Sequence, residues 1–539
     1  MTKLSRILHS SELHSSESVA PTPVVEVGAG PLSVADVERI ATRRAKVSMS
    51  RDPGVQARLQ RGSKTLEKLL GENNRVYGVN TGFGDSCETE IPLENRDDLP
   101  LNLVRFHGCG TGAHFTSEEA AAILVARLGS LVGGASGVRP ELLDRICQLV
   151  NEGLLPCIPC EGSVGASGDL TPLSYLAAVL MGEREIITNQ GNVEPAGVVI
   201  ARLGEFRLRP KESLALMNGT SAMTGLACLA YQRARRLARF AAALTAVASD
   251  VMRGQPGHFD DRIFALKPHP GQRACARWIR DDLEYTERRA IHGRLQDRYS
   301  VRCAPHVIGV LLDNLPASRQ TIEIELNGAN DNPLLDIETG DVLHGGNFYG
   351  GHICQVMDTL KTCVASLADL LDRQLALLCD SKTNGGLPNN LVLPSAGPSH
   401  HGFKAMQITA SALTAEALKL TVPASAFSRS TENHNQDKVS MGTIAARDCL
   451  RIVELSETVA AIHTLALCQA VDLRTPQECR QRARELHAFV REAVPPNTAD
   501  RRMDLDIASV LQAHRQQSLP IGSIDFPEPV AAPPSSPNG

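Results

Sequence analysis

The chain has 539 residues, longer than one ordinary compact unit, and its 55 Lys and Arg against 60 Asp and Glu leave a net charge of −5. That balance supplies no electrostatic footprint for nucleic acid or an acidic membrane surface, so a small-molecule partner is expected. Fourteen Cys without a short framework fit a reducing compartment, by default the cytoplasm, better than a disulfide scaffold.

The start passes from Lys3 and Arg6 into polar Ser10, Ser11, Glu12 and His14, without the apolar core of a signal peptide. Residues 1–25, rich in Ser and His, are expected to be a disordered segment. Residues 26–215 form the predicted N-terminal domain, a smaller mixed region with a helix over 117–132; the apolar run 120–132 contains Arg127 and is too short to span a bilayer. A central bundle over 216–480 follows, with long helices predicted at 221–251, 351–378, 403–420 and 441–471 from Ala- and Leu-rich helical spacing. A C-terminal helical region is expected over 481–525 and a disordered Pro- and Ser-rich tail over 526–539. The fold class is therefore mainly α, a bundle of long helices. Breaks at 78–84, 162–172, 217–219 and 327–333 free backbone groups for ligand contacts.

The chemistry concentrates in Gly162-Ser163-Val164-Gly165-Ala166-Ser167-Gly168-Asp169-Leu170-Thr171-Pro172-Leu173. Three Gly among small residues give more backbone freedom than a simple turn needs. An unhindered Gly168 nitrogen can attack the Ala166 carbonyl carbon if the tripeptide is held bent, and loss of two waters then leaves an electrophilic methylidene-imidazolone. Cys157-Ile158-Pro159-Cys160 has redox or half-zinc spacing, but no second Cys pair completes a structural zinc site, and no metal is expected.

The segment from Gly162 to Leu173 resembles the hallmark of the histidine and aromatic amino-acid ammonia-lyase family, and the resemblance runs over roughly residues 30 to 520. It implies that family's long-helix fold, a methylidene-imidazolone formed from Ala166, Ser167 and Gly168 with no external cofactor, and a homotetramer whose active sites combine residues from three subunits. Tyr77, in Tyr77-Gly78-Val79-Asn80-Thr81-Gly82-Phe83-Gly84, matches the family's catalytic-base loop. A phenol titrates near 10, so a base at neutral pH needs donors or positive charge to depress it. Asn218 in Met217-Asn218-Gly219-Thr220 matches the segment beside the substrate amine. The stretch Gln296-Asp297-Arg298-Tyr299-Ser300-Val301-Arg302 implies Arg302 as the carboxylate clamp, Tyr299 as a donor towards the prosthetic group and Gln296 as a further polar contact; Tyr299 and Arg302 share a face if that stretch is helical. Asn332, placed before Pro333, is assigned to the carboxylate and Phe348 to the pocket wall.

Substrate choice is expected from Phe106-His107, where the family varies: a Phe-Leu pair resembles phenylalanine enzymes, and a His can hold a phenol or an imidazole. Asn435 and Gln436 provide a second test, because histidine-specific relatives place a Glu where Gln436 aligns. Lys404 and Glu432 match the pair of phenylalanine and related aromatic enzymes. The resulting order is tyrosine, then phenylalanine, then histidine. The expected reaction is elimination of ammonia, giving p-coumarate from tyrosine, with an aminomutase that returns ammonia to the β-carbon as its rival. A scaffold in which Ser167 never cyclises is the non-enzymatic alternative, and an intact mass two waters light excludes it.

Overall fold

The computed structural model describes residues 21–72, 74–96, 98–204, 206–285 and 294–526. Helices Ser117–Leu131, Ser221–Val251, Gly351–Cys379, Lys404–Lys419 and Gly442–Arg474 form where the apolar spacing predicts them, each end within three residues. Local chemistry sets several ends. Thr116 accepts from the Glu119 backbone while the Glu119 carboxylate reaches back, a capping box that starts the Ser117–Leu131 helix. Pro140 and Pro270 occupy first-turn positions where no N–H is required.

Gly351–Cys379 packs against Gly442–Arg474, which packs in turn against Ser221–Val251; Ala304–Asn327 lies beside Ser221–Val251 and Gly351–Cys379. Ser221–Val251 is buried along nearly its whole length, and its many Ala residues permit this by letting neighbouring backbones approach. One apolar core runs from Val27 to Leu519, so the expected partition does not separate independent cores. The division at 215/216 falls inside the helix Glu212–Met217.

The N-terminal region is mixed, as expected, with short strands. Val24–Val27 pairs in parallel with Lys46–Met49, so ordered structure begins inside the segment expected to be disordered; residues 1–20 lie outside the described residues. Phe526 packs against the core, whereas residues 527–539 of the expected tail lie outside the described residues. Strand Pro159–Glu161, paired antiparallel with Thr111–His114, delivers the chain to Gly162. A small satellite core of Leu66, Val76, Val79 and Leu335 anchors the Tyr77 loop from both sides of the tyrosine. Among the described residues no helix is long and apolar enough to cross a membrane.

Candidate active site

The Gly162–Asp169 loop joins strand Pro159–Glu161 to helix Leu170–Leu180. Gly168 adopts φ +69°, and a Cβ there would lie 2.1 Å from the Gly219 carbonyl oxygen, so no other residue fits. The Asp169 N–H donates to that same oxygen at 2.7 Å. The Asp169 carboxylate, fully buried, accepts from Ser163 Oγ at 2.9 Å, from the Met223 N–H at 2.8 Å and from Thr443 Oγ1. Burial pushes its pKa up and these donors oppose the rise. Met223 and Thr443 belong to the first turns of Ser221–Val251 and Gly442–Arg474, where a carboxylate is favoured by the free N–H groups. From the other side, Ser440 donates its N–H and Oγ to the Gly165 carbonyl at 3.2 and 3.1 Å, and the Met441 N–H donates to Val164. The loop is thus tied down at residues 164, 165 and 169, and Ala166-Ser167-Gly168 lies between the ties.

Ser167 faces a cavity of about 610 Å³ whose walls also include Tyr77, Ala166, Asn218, Asn332, Phe348, Asn435 and Gln436. Gln436 Nε2 donates to Ser167 Oγ at 3.2 Å and its Oε1 accepts from Thr431 Oγ1 at 3.0 Å, which fixes the orientation of the amide. Asn218 Nδ2 donates to the Asn332 carbonyl at 2.7 Å, leaving its buried Oδ1 without a donor among the described residues. Asn332 Oδ1 accepts from the Gly345 N–H at 2.9 Å. The missing Cβ space at Gly168, the small Ala166 and the cavity-facing Ser167 side chain fit a methylidene-imidazolone formed in place.

Tyr77 Oη accepts from the Gly84 N–H at 2.7 Å, and its ring meets Phe83 edge-on. The expected depression of this phenol is not realised within one chain. Burial raises its pKa above the ordinary value, and the Glu432 carboxylate and Cys87 add to the rise, with the Gly84 N–H opposing them.

Other expected site residues lie away from this cavity. Glu432 accepts from the Asp85 N–H at 3.0 Å and so braces the Tyr77 loop from outside. Lys404 is exposed at the start of its helix. Gln296 is exposed, and Tyr299, 72% exposed, starts the four-residue helix Tyr299–Arg302. Arg302 spans that helix, with Nε donating to the Asp297 carbonyl at 3.0 Å and its guanidinium 4.7 Å above the Tyr299 ring. Phe106 and His107 end the helix Leu99–His107; Phe106 is 58% exposed. His107 Nδ1–H donates to the Leu103 carbonyl at 3.0 Å, and burial lowers its pKa, so the ring is neutral with Nε2 as its acceptor. Phe106, Tyr299 and Lys404 point outward because their helices turn another face to the core.

The cavity also has walls that the motifs did not single out: Arg75, Cys87, Glu88, His344, Asp437 and Lys438. Asp437 and Lys438 were visible as neighbours of Gln436, whereas the Arg75–Glu88 pair, 3.1 Å apart, has no sequence period to reveal it. A larger cleft of about 1110 Å³, walled by Arg253, Arg298 and Arg474, contains none of the prosthetic-group residues, and volume alone does not make it the reaction site.

Residues 32–492 match the model of the family described as aromatic amino acid lyase. A histidine ammonia-lyase of Gloeobacter violaceus is 38% identical over 89% of this chain and 94% of its own length. The crystal structure of a tyrosine aminomutase from Streptomyces globisporus superposes with a TM-score of 0.84 at 36% identity, covering 92% of this chain and 97% of that one. Histidine ammonia-lyase from Trypanosoma cruzi gives 0.84 at 32% identity, covering 92% and 94%. The mainly helical fold is the one shared by these enzymes, and the chain belongs to the aromatic amino acid lyase family, with a methylidene-imidazolone made from Ala166, Ser167 and Gly168 as its prosthetic group.

Proposed function

We propose that the protein deaminates an aromatic L-amino acid without oxidation, L-tyrosine first, releasing trans-p-coumarate and ammonia. The observation that carries this reading is a single cavity holding Ser167, Tyr77, Asn218, Asn332 and Gln436. The methylidene-imidazolone supplies an electrophile that turns the amine into a competent leaving group. Tyr77 takes the β-proton at its phenolate oxygen, positioned by the Gly84 N–H. Asn218 Oδ1, without a donor among the described residues, receives an N–H of the substrate amine, Asn332 contributes to carboxylate binding, and Phe348 forms a wall for the ring. Asn435 and Gln436 line the same space, Gln436 orienting the Ser167 region.

Arg302, Tyr299, Gln296 and the Phe106-His107 pair enter through assembly. A homotetramer with shared sites supplies them from neighbouring copies, which accounts for the exposure of Tyr299 and Phe106. The Arg302 fork then pairs with the substrate carboxylate, and its positive charge lowers the pKa of Tyr77. Lys404 and Glu432 act at the margin of the site, Glu432 through the Tyr77 loop. His107 presents Nε2 to the para-hydroxyl of tyrosine, which donates to it. The fourteen free thiols support a cytoplasmic setting.

A second reading, rearrangement to the β-amino acid, is favoured by the likeness to a tyrosine aminomutase. The third, action on histidine, is favoured by the histidine ammonia-lyase relatives and disfavoured by the neutral Gln436. Incubation with tyrosine, phenylalanine and histidine in parallel, followed by ultraviolet absorbance and chromatography, separates them. p-Coumarate as the main product is expected. β-Tyrosine without conjugated acid overturns the lyase reading, and exclusive formation of the imidazole acrylate overturns the substrate.

A further inference from the structure

Behind the loop that forms the prosthetic group lies a buried cation to which the elimination assigns no role. Arg127 belongs to the helix Ser117–Leu131, whose other buried residues are mostly Ala, Ile, Leu and Val, and is itself fully buried. Its Nη1 donates to Asn330 Oδ1 at 3.1 Å and to Ser221 Oγ at 3.3 Å, while Nε and Nη2 find no acceptor among the described residues. A buried charge with incomplete pairing is destabilising, and an apolar side chain of similar volume is often the more stable choice at such a position. Burial lowers its pKa to about 10, against the pull of Asp331 and Asp169, so the guanidinium remains charged at neutral pH.

What Arg127 touches gives it a task. A Cβ added to Gly219 would lie 2.0 Å from Arg127 Nη1 and 2.5 Å from the Asn330 carbonyl oxygen, so the guanidinium rests directly on the Gly219 backbone. On its other side Gly219 forms a bridge with Gly168 and accepts the Asp169 N–H at 2.7 Å. Arg127, Gly219 and Gly168 are therefore consecutive layers, and the position of the first is transmitted to the third. Beside them the Lys211–Asp331 pair, 2.6 Å apart with both side chains 0% exposed, steadies the residue next to Asn330.

Ring closure depends on this placement. The Gly168 nitrogen bonds to the Ala166 carbonyl carbon; the carbonyl oxygen leaves as water with the Gly168 and Ser167 N–H protons, leaving a C=N bond. A second water carries away the Ser167 hydroxyl and its Cα hydrogen, leaving the methylidene. No oxidant is consumed, so the barrier is one of proximity and orientation. We propose that Arg127 is a positioning residue for formation of the prosthetic group: by clamping the Gly219 turn through Asn330 and Ser221, it holds Gly168 within reach of Ala166. The inference rests on ring formation in this chain, which the wild-type intact mass checks separately, and is independent of the amino acid consumed.

The test uses the full chain made by cell-free synthesis and sampled over time, as wild type, Arg127→Met, Arg127→Lys and Asn330→Ala. Intact mass and near-ultraviolet absorbance report ring closure, and far-ultraviolet circular dichroism with a thermal midpoint reports folding. Arg127→Met is expected to close the ring at least about tenfold more slowly while folded, Arg127→Lys to recover part of the rate, and Asn330→Ala to fall between. Folded Arg127→Met that loses both waters as fast as wild type overturns the proposal. If Arg127→Met does not fold, Asn330→Ala decides: wild-type closure, or slow closure only in material that has lost its helical signal, is equally fatal.

Discussion

Gly168 and Gly219 are in such close backbone contact that a Cβ on the first would lie 2.1 Å from the carbonyl oxygen of the second. Gly168→Ala, also strained at φ +69°, is therefore expected to prevent ring closure. Its intact mass should retain both waters, and turnover should fall by about a thousandfold, equivalent to ~4 kcal/mol of barrier. A two-water-deficient mass in Gly168→Ala would mean that the contact can relax.

Tyr77→Phe removes the proposed proton acceptor and the partner of the Gly84 N–H, but it does not touch the Ala166–Gly168 backbone. Activity should drop by about 10²–10⁴-fold with the ring still formed. Because the proposed base works deprotonated and its pKa is raised by burial and by Glu432, kcat/KM should climb with pH. Glu432→Gln removes an anion, lowers that pKa and should move the rising limb to lower pH; an unmoved pH profile would remove Glu432 from the account.

His107→Leu deletes the Nε2 acceptor that Leu103 orients through the other ring nitrogen. The ratio of kcat/KM for tyrosine over phenylalanine should fall by about tenfold, the value of one lost hydrogen bond to a buried hydroxyl. Unchanged selectivity in side-by-side assays would show that His107 does not read the ring substituent.

Lys211→Met leaves the Asp331 carboxylate buried without its partner at 2.6 Å. Denaturant unfolding should register a loss of about 3–5 kcal/mol, and adding Asp331→Leu should recover much of it, because removing both charges eliminates the unpaired one. Equal stability of the single variant and wild type would mean that water or another donor reaches Asp331.

His463 is fully buried, with Nδ1–H donating to the Leu371 carbonyl at 3.0 Å and its pKa pushed down to about 4. An unfolded imidazole titrates near 6.5, so as pH falls the unfolded chain takes up this proton first. Stability is complete above about 6.5 and drains towards pH 4, by about 3 kcal/mol for this residue. Thermal midpoints measured from pH 7.5 to 4.5 should fall, and a smaller fall in His463→Asn would assign the loss.

Helix positions and the prosthetic-group segment can be read in the sequence because both are local. The 3.6-residue spacing of Ala and Leu places Ser221–Val251 to the residue, since each turn is closed by bonds between near neighbours. The Gly162–Leu173 string identifies the chemistry because ring closure needs a Gly two residues after the attacked carbonyl. The sequence called for donors or positive charge to depress Tyr77, and within one chain burial raises it instead; Arg302 and His107, expected in a site shared between subunits, lie outside the cavity walls of the single chain. Tertiary structure decided which motifs share a cavity, that Glu432 braces a loop instead of lining the pocket, and that Arg127 lies against Gly219, 92 positions away. Those relationships join residues far apart in the chain, and they are set by how helices pack and by where a buried charge can find a partner, which no periodicity records.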